Sequence, residues 1–197
     1  MITLLEAGAR LQRTLEAQQW QFCFIGGVAN FRWGTPRLTT DLDLTLLTGF
    51  GREAEFVRML LGLFESRIPD PAEFAACYRV LLLRTEEGMP VDIALGAMPF
   101  EERSIERSSL GELVPGATLR TCAAEDLVVH KAFAARPQDW VDIEGVILRQ
   151  RGRLEWPQIW AELRDLAALK EAPELLDELA RVAQRAESVI GPYEWRP

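Results

Sequence analysis

Between Phe22 and Leu46 the chain reads FCFIGGVANFRWGTPRLTTDLDLTL, and the two ends of that stretch limit the fold more than any other part of the sequence. At its start, Phe22 to Ile25 is a short apolar run with aromatic and β-branched members, the composition of a buried strand. Gly26 and Gly27 break it, and a helix begins there. Two consecutive glycines allow a sharp turn and a close approach to the main chain, while the unpaired N–H groups of a helix's first turn favour an anion such as phosphate. At the other end, Asp41 to Leu46 alternates polar and apolar residues with period two, which predicts a strand with one buried and one wet face. Asp41 and Asp43 then point the same way. Like charges on one strand face repel, and strands disfavour Asp, so this arrangement costs stability unless a cation or a basic group compensates. Hard divalent ions take such oxygen ligands.

Apolar residues make up 48% of the 197 and charged residues 26%, the balance of a globular chain rather than a disordered or membrane one. No apolar run is long enough to span a bilayer, and the N-terminus lacks the pattern of a secretory signal, so the expected location is cytoplasmic with no membrane partner. The three cysteines, Cys23, Cys77 and Cys122, are odd in number and set among apolar neighbours. They read as buried free thiols rather than a disulfide framework or zinc cluster. A net charge of −8, from 22 basic and 30 acidic residues, argues against attraction to bulk duplex DNA.

Read in order, residues 3 to 18 carry Leu4, Leu5, Ala7, Leu11 and Leu15 at near-helical spacing. Val28 to Trp33 predicts a short helix ended by Gly34 and Pro36. Arg32 and Arg37 flank that break, and Arg37 is the candidate phosphate contact, four residues before Asp41. Phe56, Met59, Leu60 and Leu63 predict a core-facing helix, stopped at Ile68 to Pro71. Strands Tyr78 to Leu83 and Val91 to Leu95 form an antiparallel hairpin through Glu86-Glu87-Gly88. Asp92 is the one charge in VDIAL, where an acid between apolar residues needs a partner or an exposed edge. Residues 99 to 117 lack a sustained period and read as a loop with one helical turn from Phe100 to Arg103, positioned to act as a lid or acceptor-binding loop. A short strand at Leu119 to Thr121, a helix over Ala123 to Ala135 and another opening at Arg136 follow. Asp139 has a plain capping role open to it in that first turn. Two amphipathic helices, Gln158 to Lys170 and Pro173 to Ile190, cover the core or an oligomer surface. The tail from Gly191 to Pro197 ends the last helix. His130 receives no chemistry, a lone histidine being commonly an ordinary helix residue.

The glycine pair followed by Arg37-x-Thr39-x-Asp41-x-Asp43 resembles the signature of the polymerase-beta-type nucleotidyltransferase superfamily, and within it the AbiEii-type toxin and minimal nucleotidyltransferase proteins. Lys131, Arg136, Asp139 and Asp142 resemble the Lys, basic and Asp-x-x-Asp segment of AbiEii-type proteins. The resemblance runs from Phe22 to Leu148. It implies an α/β (α+β) fold, a mixed sheet flanked by helices, with a nucleotidyltransferase-like core over residues 1–122 and a C-terminal helical region over residues 123–197. Asp92 matches a third carboxylate supplied by a neighbouring strand.

The activity implied is transfer of a nucleoside monophosphate from a nucleoside triphosphate to an RNA, protein or small-molecule acceptor. Asp41, Asp43 and Asp92 would hold Mg²⁺ or Mn²⁺, and paired ions about 3.5–4 Å apart clamp the attacking and leaving oxygens in such reactions. Gly26, Gly27, Arg37, Thr39 and Asp139 would bind the nucleotide, with Lys131 beside its phosphates. An RNA end can be gripped if Arg32, Arg37, Arg103, Arg107 and Arg136 gather around a cleft. Two other readings stand beside this one. The first is a non-catalytic binding or antitoxin-like subunit on the same fold, working with a cognate partner protein or a second copy of itself; the second is a metal-dependent nuclease or phosphatase.

Overall fold

The computed structural model describes residues 4–190; the tail reading at Gly191 to Pro197 lies outside them. The chain divides into two compact units, one formed by Met1–Val28 and Leu38–Cys122, the other by Ala29–Arg37 and Ala123–Pro197.

The first unit holds all the strands among the described residues. In chain order it contains α1 (Leu4–Ala17), β1 (Phe22–Phe24), the first turn of α2 (Gly26–Trp33), β2 (Leu42–Leu47), α3 (Glu53–Leu61), β3 (Glu65–Ser66), α4 (Pro71–Tyr78), β4 (Val80–Arg84), β5 (Pro90–Gly96), α5 (Pro99–Glu106), β6 (Ser109–Val114) and β7 (Ala117–Thr121). The seven strands form one mixed sheet in the order β3-β4-β5-β2-β1-β7-β6. At its centre β1 runs antiparallel to β2, while β2 runs parallel to β5.

Period-two patterning explains which face each residue takes. Leu42, Leu44 and Leu46 of β2 share a fully buried face with Val91, Ile93 and Leu95 of β5 and with Leu81 and Leu83 of β4. Each such side chain contributes about 1.5–3 kcal/mol on burial. Ala7, Leu11 and Leu15 of α1 and Phe56, Val57 and Leu60 of α3 close over this face, as their helical spacing requires. Gln12 is buried with them because its amide is used in both directions: it donates to the Thr118 carbonyl (3.5 Å) and accepts from the Arg120 N–H (2.8 Å), fixing α1 against β7.

Several sequence expectations are corrected here. Residues 99 to 117 are an ordered helix and strand. Glu101 accepts the Ala97 and Met98 N–H groups (2.8 and 2.9 Å), capping α5 from its first turn, with Pro99 at its start. Phe100 and Ser104 are its buried anchors, too few to make a visible period. In β6, an edge strand paired only with β7, no side chain is buried, so no buried face marks it in the sequence. Pro71, expected only to stop a helix, instead starts α4. Asp41 stands just ahead of β2 rather than inside it, its carboxylate held in the preceding turn by Thr39. Cys23 and Cys122 are buried as expected, but Cys77 is exposed on α4.

The second unit is helical: the rest of α2, then α6 (Ala124–Ala134), α7 (Pro137–Gln150), α8 (Trp156–Lys170) and α9 (Glu174–Ile190). Ile143, Val146, Ile159, Leu163, Leu179 and Val182 are among its buried apolar residues, spaced for packing between helices. The turn after α2 is clamped to α7. Arg149 donates to the Phe31 and Gly34 carbonyls (3.2 and 2.6 Å), and Gln150 to that of Trp33 (2.8 Å). No described helix is long and apolar enough to cross a membrane.

Candidate functional site

The aspartate strand and the glycine pair meet inside the sheet unit. The Ile25 N–H donates to the Asp43 carbonyl (2.9 Å), extending the β1–β2 ladder to its last rung, and the chain then turns at Gly26 with φ +54°. A Cβ at Gly26 would lie 2.0 Å from Asp43 Oδ2, and one at Gly27 would lie 2.4 Å from Thr39 Oγ1. Thr39 Oγ1 in turn donates to Asp41 Oδ1 (3.0 Å). The glycine pair is therefore a bare floor against which Thr39 and Asp43 sit. That is a tighter constraint than the turn alone imposes.

Gly26→Ala tests this floor against a built-in control. Gly49 also has positive φ (+71°), but a Cβ there meets nothing within 4 Å. Backbone strain of about 1–3 kcal/mol is common to both alanine variants, and only Gly26→Ala adds the clash with Asp43. In urea unfolding Gly26→Ala is expected to be the less stable of the two; equal midpoints would show that Asp43 moves aside without cost.

Asp43 and Asp92 stand opposite each other in the β2–β5 ladder, on the same face of the sheet. Both are half-buried. Adjacent like charges are destabilising, and Asp92 has a cationic partner that the sequence did not reveal: Arg67, which follows β3 and forms an ion pair with it. Among the described residues no three or more His, Cys, Asp or Glu side chains stand as a ready ligand cluster. Carboxylate oxygens are donors of the kind a hard divalent ion takes, and in this structure the Asp92 carboxylate is held by the Arg67 guanidinium.

A second constellation lies in the helical unit. Asp142 of α7, 4% exposed, accepts hydrogen bonds from Arg37 Nε (2.9 and 3.1 Å) and Nη2 (3.0 Å), from Lys131 Nζ (2.6 Å) and from Gln138 Nε2 (3.0 Å). Lys131, also 4% exposed, donates to Asp139 Oδ1 (3.2 Å), while Asp139 Oδ2 accepts the Arg136 N–H (3.2 Å). Asp139 thus caps its helix and pairs with Lys131 at once. Burial works against the charged form of Asp142, but the bonds from Arg37, Lys131 and Gln138 outweigh it and hold the carboxyl below its ordinary range. The sequence marks Arg37 as a phosphate contact and does not show its fork on Asp142; Gln138 carried no signal. Of the arginines expected around a cleft, Arg103 and Arg107 belong to the sheet unit and Arg32, Arg37 and Arg136 to the helical one. Arg32 lies over the Trp33 ring at 4.1 Å.

His130 sits beside Lys131, and burial first, then the lysine's charge, push its pKa from 6.5 down to about 4. It is neutral at pH 7. With the folded value below the unfolded one, the stability that neutral His130 contributes is fully present above about 6.5 and is lost as pH falls to about 4. His130→Asn is expected to flatten the melting-temperature profile in that window. An unchanged slope would show that the imidazole does not sense its surroundings.

Among solved structures the chain is similar to an antigenic nucleotidyltransferase-like protein from Paracoccidioides brasiliensis, at 15% identity and a TM-score of 0.52, over 90% of this chain and 92% of that one. The fold is nucleotidyltransferase-like. Other likenesses are to the lincosamide antibiotic adenylyltransferase LnuA in its lincomycin-bound form (13% identity, TM-score 0.49, 74% of this chain and 96% of that one) and to the antibiotic-resistance factor ANT(2'')-Ia (11%, 0.47, 94% and 91%). No protein-family model matches the chain, and no curated protein matches it.

Proposed function

We propose that this chain is a metal-dependent nucleotidyltransferase that moves a nucleoside monophosphate from a nucleoside triphosphate to an acceptor hydroxyl. The observation that carries the reading is the register of Asp43 with Asp92, on one sheet face with Gly26 set against Asp43. A nucleotidyltransferase-like fold supports it without choosing the substrate.

In this reading Asp41, Asp43 and Asp92 would hold Mg²⁺ or Mn²⁺. The bound metal would stabilise charge on the attacking and leaving oxygens as the acceptor–phosphorus bond forms and the bond to pyrophosphate breaks. Thr39 fixes the Asp41 carboxylate through its hydroxyl, so that one ligand is oriented before anything binds. Gly26 and Gly27, with no side chain, keep the wall beside Asp43 thin enough for phosphate to approach the main chain. Arg37, with a side chain 36% exposed, is the phosphate contact. Lys131 and Asp139 act behind it as positioning residues: Lys131 bonds Asp142, and Asp142 grips one edge of the Arg37 guanidinium. An RNA end, a protein or a small molecule can serve as the acceptor, and the AbiEii-type kinship and toxin–antitoxin role remain proposals on the same residues.

A second reading, a non-catalytic binding or antitoxin-like subunit, draws support from the commitment of Lys131 and Arg37 to carboxylates within the helical unit. One experiment separates the two. The full chain is incubated with each α-labelled nucleoside triphosphate and Mg²⁺ or Mn²⁺, in the presence of RNA, protein and small-molecule fractions from the host. Label passing to an acceptor, dependent on metal, is the expected result; no transfer with any triphosphate would favour the binding subunit.

A further inference from the structure

Within the sheet unit an apolar groove of about 340 Å³ runs between α3 and α4. Ala54, Val57 and Leu61 line it from α3, and Ala72, Ala75 and Ala76 from α4, at the three- and four-residue spacings that put them on one face of each helix. Val57 and Ala75 are its buried floor, 4% and 1% exposed, while Ala54, Ala72 and Ala76 are open to solvent on its walls. Packed helices normally fill the space between them with interlocking side chains. Here the helices are instead bracketed at the end of α4. Arg79, in the left-handed region at φ +53°, forms an ion pair with Glu53 in the first turn of α3. Its guanidinium also donates to the Leu95 carbonyl on β5, and its own carbonyl accepts the Leu95 N–H (2.8 Å). The groove is therefore preformed, its width set by contacts outside it.

Two of the lining residues carry charge, and they are not equally available. Glu53 is committed to Arg79. Arg58, four residues after Ala54 on the same face of α3, is exposed at the rim and forms no ion pair among the described residues. We propose that this groove binds a small carboxylic acid with an apolar body, the hydrocarbon lying between α3 and α4 and the carboxylate paired with Arg58. Size selects a small molecule. The volume lies at the lower end of the range for ligand pockets, about 300–1,000 Å³. Helices of nine and eight residues, about 12–14 Å long, cannot by themselves provide the roughly 800 Å² that a stable protein partner covers on each side. Charge selects an acid, because a guanidinium presents paired N–H donors that match a carboxylate. None of the lining residues belongs to the aspartate and glycine site, so this site stands whether or not the chain transfers nucleotides.

The probe is octanoate, titrated into the full chain with octanol and octylammonium as controls of equal chain length, and followed by the methyl resonances of ¹³C-labelled alanine. Octanoate is expected to shift the Ala54, Ala72, Ala75 and Ala76 signals and to bind about fivefold tighter than octanol, the factor for one exposed ion pair, with octylammonium weakest. Arg58→Gln should remove that fivefold advantage and leave octanol binding as it was. Ala76→Leu places a larger side chain at an exposed wall position, and it should abolish binding of both. A thermal melt confirms that this variant folds, and Arg58→Gln, a surface change, carries the test if it does not. Octanoate binding no tighter than octanol binding, or unmoved by Arg58→Gln, overturns the acid. Binding that survives Ala76→Leu lies elsewhere, and no shift of the four alanine signals overturns the site altogether. Self-association in sedimentation that Ala76→Leu abolishes would give the groove to a second copy of the chain and overturn the proposal as well.

Discussion

Asp43→Asn is expected to lower nucleotide transfer on the order of a thousandfold while leaving the metal-free fold as stable as the wild type or slightly more so. The loss follows from chemistry: an amide oxygen carries no charge with which to hold a hard cation, and losing one preorganised electrostatic partner in a phosphoryl-type transfer has effects of this order. The stability effect follows from the ladder. Asp43 faces Asp92 across β2 and β5, and neutralising one of two opposed carboxylates relieves a repulsion of about 0.2–1 kcal/mol. Asparagine also keeps the shape that sits against Gly26, so no cavity or clash is introduced. Function and stability should therefore move in opposite directions. Transfer of label and the urea midpoint, measured on the same preparation, check both. Transfer at the wild-type rate in Asp43→Asn would remove this carboxylate from the chemistry and leave its register with Asp92 without a role.

The parts of this site visible in the sequence are those that break a local rule. Asp43 and Asp92 interrupt apolar strands, and a residue that costs stability where it stands signals a second purpose. Gly26 and Gly27 break a strand, and their rigid seat against Asp43 and Thr39 agrees with the spacing that drew attention to them. Arg67 broke no rule: an arginine in a polar connection between helix and strand is ordinary, and only the order of strands brings it over Asp92. The same limit hid β6. Its pairing with β7 depends on a turn at Gly116 with φ +82°, and an edge strand with no buried residue leaves no apolar alternation to read. Helix α5 was hidden for a different reason, since Phe100 and Ser104 alone anchor it and its cap is a glutamate bonding two preceding N–H groups. Core elements with full periods, α1, α3 and β2, stood out because burial on one face repeats at a fixed interval.

Lys131→Met is expected to destabilise the helical unit by about 3–5 kcal/mol, the range for leaving a buried charge without its partner. Lys131 is 4% exposed and lies between two carboxylates, at 2.6 Å from Asp142 Oδ2 and 3.2 Å from Asp139 Oδ1. Without its ammonium, Asp139 keeps only the Arg136 N–H among these contacts, and Asp142 keeps Arg37 and Gln138. The two acids, one turn apart on α7, then repel. The sign of the pH dependence follows from Asp142. Its folded pKa lies below the ordinary carboxylate value of 3.8, so the stability it contributes is present above that value and is lost only as pH falls through the depressed one. Losing Lys131 removes one cause of the depression, which should move this acid loss to higher pH. Urea midpoints taken from pH 7 down to pH 3 read both effects, and adding Asp142→Asn to Lys131→Met should recover part of the loss. A cost below about 1 kcal/mol would mean that water reaches the carboxylates and the network is a surface one. Full stability combined with a large drop in transfer would instead put the ammonium on the phosphates directly, rather than behind Arg37.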